Sequence, residues 1–432
     1  MRIAIVSKSD SNGGGASRVA EELSDGLNRC GHPSVHFSAE SGKGYGSTHR
    51  SLSGPRLASR LTLRAHRFTR RLGLTEGFPF ELPAMIASGI ARDFDIVHFH
   101  DLSTAISPWT VRWFSSRRPT FWTFHDCSPF TGGCIFPMDC ERFKTRCGSA
   151  GGCPQLHRWP IEAQFDLTGL MQSVKTSLHR AGRVHTLAPS EWLANVAFSS
   201  GKVVRRPRVV PNGVDLVTFR PADRRALREA LGLPFDRPIV LVTAGFLLDP
   251  RKGVQNAFAA IAAVADRAPF VVVVGGPIEA VPAFAGPLDH RAVGYVSDPE
   301  QLARWYAVAD VAINASLAES QGLTVLETMA CGVPMVAFAS GGVPEMIIPD
   351  ETGWLTPPLD VRAMAVALRH ALDDGVAAKA GHAARRRAEE SYAFDAFVCQ
   401  HVELYARALH AAATGGCFKA ASAKGFGEAE PR

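Results

Sequence analysis

The sequence predicts an α/β fold of two doubly wound, Rossmann-like domains facing each other across a cleft. Three observations carry this expectation. Short β-branched runs alternate with helical stretches along most of the chain, the pattern of parallel sheets joined by crossover helices. These runs fall into two sets, one on each side of residue 207. At 432 residues the chain is long for one core and suits two.

The first set of strand-like runs covers residues 2–7, 33–39, 96–100, 120–125 and 184–188. The segment Arg208-Val-Val-Pro-Asn-Gly-Val-Asp215 then turns out of the first half, which places a domain boundary after residue 207. The second set covers 239–245, 270–275, 291–296, 311–315 and 335–339, within a domain spanning 208–385. A helical stretch follows, with a distinct C-terminal helix at 386–412, and residues 413–432 read as a flexible tail. In open α/β sheets ligands bind beyond the carboxyl ends of the strands, so the cleft between the two sheets is the expected site.

Composition narrows the function class. Apolar residues make up 46% and the net charge is +6, a modest value with no nucleic-acid motif beside it. No run has the length of a membrane span, and Met1-Arg-Ile-Ala-Ile-Val6 reads as a first strand of a cytoplasmic protein rather than a signal peptide. The cysteine count is nine, an odd number that argues against a disulfide framework.

The most informative segment is Glu319-Ser-Gln-Gly-Leu-Thr-Val-Leu-Glu327. In one continuous helix these two acids would lie about 80° apart around the axis and ~12 Å apart along it, serving no common site. A loop holding Glu319 that becomes a helix at Gly322 changes this, because the helix's free amides suit phosphates while the acids accept hydroxyl hydrogen bonds. Both acids would equally suit the start of an ordinary helix. Arg251 and Lys252 precede another helix start and suit a diphosphate, or else form a solvated basic turn. Gly13, Gly14 and Gly15 join the first strand to the first helix and allow a substrate close to backbone amides. A nicotinamide-binding loop is the alternative there, with Glu40 as its ribose acid, but Arg18 stands where the third glycine belongs.

His98, His100, His125 and Asp126 end two first-half strands and are expected to edge the cleft. Asp93-Phe-Asp95 has a metal-binding spacing but precedes its strand, so it reads as a solvated turn. Cys134, Cys140, Cys147 and Cys153, with Cys127 just before them, occupy a Gly- and Pro-rich loop. Structural zinc, free thiols and disulfides all remain open for that loop. Residues 56–72 carry an arginine stripe (Arg56, Arg60, Arg64, Arg67, Arg71) beside an apolar one (Leu57, Leu61, Ala65, Phe68, Leu72). That pattern suits a helix lying on anionic lipid, or one packing its apolar stripe onto the domain.

Together these motifs resemble a retaining GT-B glycosyltransferase of family 4 (group 1 glycosyltransferases). The resemblance covers most of the chain. It is carried by Gly13-Gly-Gly-Ala-Ser-Arg-Val-Ala-Glu-Glu-Leu23, Asp95-Ile-Val-His-Phe-His-Asp101, Thr123-Phe-His125-Asp126, Pro211-Asn-Gly-Val-Asp215, Arg251-Lys-Gly253, Val293-Gly-Tyr-Val-Ser297, Glu319 to Glu327 and Gly341-Gly-Val-Pro-Glu345. The cysteine loop, from His125 through Cys153-Pro-Gln-Leu156, resembles the colanic-acid and exopolysaccharide-type subgroup.

The resemblance implies transfer of a hexose from a nucleoside-diphosphate sugar to a saccharide or polyprenyl-diphosphate-linked acceptor, with retention and without a catalytic metal or other cofactor. It implies that Glu319, with the amides around Gly322, Leu323 and Thr324, holds the donor sugar and diphosphate. Lys252 would contact the diphosphate, Glu327 the ribose, and Tyr295 and Val296 would lie near the base. His125 would face the donor sugar, the Gly13 to Gly15 loop would close the acceptor side, and the C-terminal helix would cross back to the first domain. No covalent nucleophile is implied. Two positions depart from the family pattern: Phe246 stands where an arginine is common, with Arg251 as its possible replacement, and Gln321 where phenylalanine is common. Phe246 leaves room for a sugar-nucleotide-binding protein that does not turn over. A nicotinamide-dependent oxidoreductase is the more distant alternative.

Overall fold

A computed structural model describes residues 1–414, so nearly all of the tail expected at 413–432 lies outside the described residues. The first domain holds β1 (Ile3–Ser9), β2 (Ser34–Glu40), β3 (His49–Ser51), β4 (Ile96–Phe99), β5 (Thr120–Thr123), β6 (Val184–Ala188) and β7 (Arg208–Val209) in the spatial order β3-β2-β1-β4-β5-β6-β7. The second holds β8 (Ile239–Phe246), β9 (Phe270–Gly276), β10 (His290–Gly294), β11 (Val311–Asn314), β12 (Met335–Phe338) and β13 (Gly353–Thr356) in the order β10-β9-β8-β11-β12-β13. Neighbouring strands pair in parallel throughout. Strand order reverses between β1 and β4 and again between β8 and β11, and ligand crevices form at such reversals.

The central strands are apolar on both faces because helices cover both. Ile3 and Ile5 of β1 face one core cluster, and Ala4 and Val6 face the other. The sequence reading missed β3, β7 and β13. The first two are short edge strands carrying arginine, and β13 begins at a glycine, so none shows a continuous β-branched run. Because β7 pairs with β6, the first sheet extends past the boundary expected after residue 207.

The C-terminal region breaks into two helices. Val376–Ser391 packs Ala384 and Ala388 into the second domain. After the break at Tyr392 and Ala393, helix Phe394–Ala413 buries Phe397, Val398, Leu404 and Tyr405 against Ile3, Ile5 and Leu23 of the first domain. The His98 ring follows this packing: its Nδ1 meets the Tyr405 hydroxyl at 2.6 Å and its Nε2 meets Thr123 Oγ1 at 2.8 Å. His98 is therefore a buried link to the C-terminal helix, not an edge of the cleft.

Helix α1 (Gly15–Arg29) follows β1, and helix α2 (Arg56–Arg71) follows β3. The inward face of α2 is largely polar: Ser59, His66 and Thr69 are buried, and His66 Nε2 lies 2.9 Å from Glu81 Oε2. Leu63 packs against the core, whereas Leu57, Leu61 and Phe68 point outward at 72%, 56% and 65% exposure. Arg60, Arg64, Arg67 and Arg71 are exposed with them. No helix among the described residues is long and apolar enough to cross a membrane.

Candidate functional site

The second-domain half of the site is built by two loops that leave the carboxyl ends of β8 and β11. Gly253, at φ 60°, presses against the Ala315 carbonyl, where an added Cβ would stand 2.0 Å from the oxygen. Only glycine permits that approach, which brings the Asp249–Gly253 turn onto the chain leading to Glu319. The Leu317 amide then donates to the Arg251 carbonyl at 2.7 Å, and Lys252 Nζ donates to Glu319 Oε1 at 2.5 Å. Burial raises the Glu319 pKa, but the Lys252 and Arg251 cations outweigh it and hold the carboxylate below its ordinary range. Three residues on, Gly322 at φ 97° opens helix Leu323–Ala330 without a side-chain cap. The first-turn amides of Leu323 and Thr324 have no intrahelical acceptor and present the positive end of the helix dipole beside Lys252 and Glu319.

The first-domain half comes from the loop after β1. Asp10 ties this loop down by accepting from the amides of Asn12, Gly42 and Lys43 at 3.0, 2.7 and 3.0 Å. Gly13, Gly14 and Gly15 stay exposed, and a Cβ on Gly15 would lie 3.2 Å from Leu323 Cδ1. The glycine loop thus abuts the start of the facing helix. One turn further, the Arg18 guanidinium donates to Glu327 Oε1 and lies 3.6 Å from Glu22. Glu327 is buried, with the Tyr306 hydroxyl also close to it. A ribose hydroxyl can reach Glu327 only where Arg18 yields or the second carboxylate oxygen is free.

His125 lies just beyond the end of β5. Its Nε2 shares a hydrogen bond with His100 Nδ1 at 2.9 Å. Burial is the main reason its pKa falls to about 4, so the ring is neutral at physiological pH. Beside it, burial and the nearby Asp101 push Asp126 up to about 7, while the Ser128 amide donates to Asp126 at 2.7 Å. Asp93 and Asp95 belong elsewhere: Asp95 accepts from the Arg2 amide at 2.7 Å and Asp93 pairs with Arg92, both at the amino end of β4.

Tyr295 and Val296 follow β10 rather than forming part of it, and Tyr295 is 57% exposed. Phe246 ends β8 at 57% exposure. Arg251 is held by Asp249 Oδ2 at 2.9 Å, the Ala318 carbonyl at 2.9 Å and the ring of Phe136 at 5.1 Å, so Lys252 is the cation that meets Glu319 directly. Gln321 is buried, and its side-chain oxygen accepts from the Asn212 amide at 2.9 Å. It anchors the turn to the interdomain linker. Sequence reasoning quoted Arg18 in a motif without assigning it a partner and passed over Phe136, since neither residue's contact is local. Cys134, Cys140, Cys147 and Cys153 form no disulfide with one another and line one small cavity. Among the described residues no group of three His, Cys, Asp or Glu side chains stands ready to hold a metal.

Two family models match the chain: one described as Glycosyltransferase Family 4 over residues 13–218, the other as Glycosyl transferases group 1 over residues 237–374. Curated relatives include a D-inositol 3-phosphate glycosyltransferase of Streptomyces scabiei, 34% identical over 52% of this chain and 55% of its own. Another of the same name, from Streptomyces avermitilis, is 33% identical over 60% of this chain and 61% of its own. The matched region thus spans little more than half the length of these relatives. Among solved structures, sucrose-phosphate synthase from Thermosynechococcus elongatus superposes at TM-score 0.71 and 22% identity, covering 95% of this chain and 99% of that one. Anabaena HepE in complex with UDP-glucose gives 0.66 at 17% identity, with coverage of 94% and 100%. WaaG, a glycosyltransferase involved in lipopolysaccharide biosynthesis, gives 0.65 at 13%, with coverage of 93% and 99%. These likenesses establish the GT-B fold.

Proposed function

From a chain that joins a family 4 glycosyltransferase domain to a group 1 glycosyltransferase domain on a GT-B frame, we propose transfer of a hexose from a nucleoside-diphosphate sugar to a saccharide acceptor, with retention of configuration. The observation that carries this reading is the Lys252–Glu319 pair beside the uncapped helix start at Gly322, directly opposite the Gly13 to Gly15 loop.

In this reading the diphosphate binds the amides of Leu323 and Thr324 and draws Lys252 toward it. Glu319, kept ionised by its cations, accepts hydrogen bonds from the donor sugar's hydroxyls. Negative charge develops on the diphosphate as the glycosidic bond breaks, and Lys252 and the helix start stabilise it without a catalytic metal. His125 faces the sugar as a neutral ring and the glycine loop borders the acceptor. Tyr295 and Val296 flank the base, and Glu327 takes the ribose hydroxyls. No protein side chain is assigned as covalent nucleophile; an acceptor hydroxyl forms the new bond to the anomeric carbon on the face that the diphosphate leaves, and its proton passes to the departing phosphate oxygen.

The outward stripe of α2 supports a lipid-linked acceptor, such as a polyprenyl-diphosphate oligosaccharide met at the inner face of the plasma membrane, in surface or exopolysaccharide synthesis. The name shared by the curated relatives supports a second acceptor class, a phosphorylated cyclitol.

The test is release of free hexose and nucleoside diphosphate from UDP-, GDP- and ADP-sugars, followed by transfer assays with both acceptor classes. Turnover with one donor, an unchanged anomeric configuration by NMR and insensitivity to chelator are expected. Activity abolished by chelator and restored by magnesium contradicts the metal-free mechanism. Absence of turnover with every donor, together with tight diphosphate binding, favours a non-catalytic sugar-nucleotide-binding protein.

A further inference from the structure

We propose that Cys134, Cys140, Cys147 and Cys153 bind one zinc ion that staples the loop between β5 and helix Thr168–Arg180, and so hold Phe136 of that loop against Arg251. The inference is independent of the transferase reading.

The four thiols line a single cavity of about 10 Å³, the scale of one water or one ion. The loop sends Phe130, Phe136, Phe143 and Cys147 into the first domain's core, but the part that closes over the cavity has only a small separate cluster, Cys134, Ile161 and Ala163, with Cys153 and Leu156 packed alongside. Polar side chains also tie this part of the loop down. Gln172 accepts from the Cys147 amide at 2.9 Å and donates to the Phe143 carbonyl at 2.7 Å, while Asp166 accepts from the Cys153 amide at 2.6 Å. The Gly132 amide already points at Cys147 Sγ at 3.2 Å, a bond that strengthens when the sulfur is a thiolate.

Zinc binding displaces the thiol protons to solvent as the sulfurs ligate. No three potential ligands are preset in ligating geometry among the described residues. The site therefore closes around the ion, with Cys140 and Cys153, the partly exposed pair, turning inward. Arg142 lines the same cavity, with its guanidinium on the Gly152 carbonyl, and offsets the negative charge of a tetrathiolate site. The consequence reaches the facing domain. Gln155, inside the loop, donates to the Phe136 carbonyl at 2.8 Å, and the Phe136 ring carries the Arg251 guanidinium at 5.1 Å.

The experiment is metal analysis of the full chain purified under reducing conditions, followed by cobalt(II) substitution and trypsin digestion. The expected result is about one zinc per chain and a thiolate-to-cobalt charge-transfer band, both kept in Cys30→Ser and Cys399→Ser. Zinc affinity is expected to fall at least ~10-fold in Cys140→Ser. Chelating the wild type should open the loop to cleavage at Arg142, Lys144 or Arg146; this readout needs no variant to fold. Absence of zinc and of the cobalt band, whether the cysteines are free or mapped as disulfides, overturns the site. Unchanged trypsin resistance after chelation overturns the staple.

Discussion

Arg18 of α1 donates to the Glu327 carboxylate of the facing domain, so the two halves of the cleft are joined by an ion pair at the position assigned to the donor's ribose. Removing either partner leaves a buried or half-buried charge, and residues in direct contact couple by about 0.5–3 kcal/mol. A double-mutant cycle of Arg18→Ala and Glu327→Ala, read by chemical denaturation, should give a coupling in that range. Saturating nucleoside diphosphate should shrink it, because ribose hydroxyls then take over the carboxylate. A coupling that nucleotide leaves unchanged argues against the ribose role of Glu327.

The outward Leu57, Leu61 and Phe68 alternate with Arg60, Arg64 and Arg67 on α2. Each exposed arginine near an anionic surface contributes about 1 kcal/mol, so Arg60→Ser with Arg64→Ser should weaken binding to anionic vesicles about 10- to 30-fold. Leu61→Ser with Phe68→Ser should also weaken it, and added salt should weaken the wild type. Equal cosedimentation of all three proteins, or none by the wild type, contradicts membrane docking through this face.

Acid should destabilise the fold. Burial is the main cause that holds His125, His179 and His401 at about 4, His36 at about 3, and His98 and His100 well below the usual range. In the unfolded chain these rings protonate near pH ~6.5, so the stability present above that value is lost as pH falls, by up to ~1.4 kcal/mol per pH unit for each ring that stays neutral. Asp126 and Glu22, raised by burial to about 7, act in the opposite direction but are outnumbered. Thermal melts at about pH 7 and about pH 5.5 should show a lower midpoint in acid. An equal or higher midpoint in acid contradicts the buried-neutral assignment.

The doubly wound sheets were legible because their central strands are buried on both faces and therefore β-branched throughout. Edge strands such as His49–Ser51 lack that requirement and leave no such mark. Lys252, Glu319 and Gly322 were legible for a related reason: each lies in a loop just after a strand, where local pattern and strand order together define the site. Pairings across the cleft were not. Arg18 and Glu327 are separated by 309 positions, and no periodicity records such a contact. Helical spacing displayed the two stripes of α2 but not that both face outward, because Ser59 and His66 find buried hydrogen-bond partners that make a largely polar inward face stable.

The central claim is that Lys252 and the helix start at Gly322 hold the donor's diphosphate. Calorimetric titration of the wild type, Lys252→Ala and Glu319→Ala with UDP, GDP and ADP tests it most directly. One diphosphate should bind the wild type, and Lys252→Ala should bind it about 10- to 100-fold more weakly, the cost of a lost charge-assisted hydrogen bond. Glu319→Ala, which frees Lys252 from its partner, should bind the same diphosphate at least as tightly as the wild type. Wild-type affinity in Lys252→Ala contradicts the account.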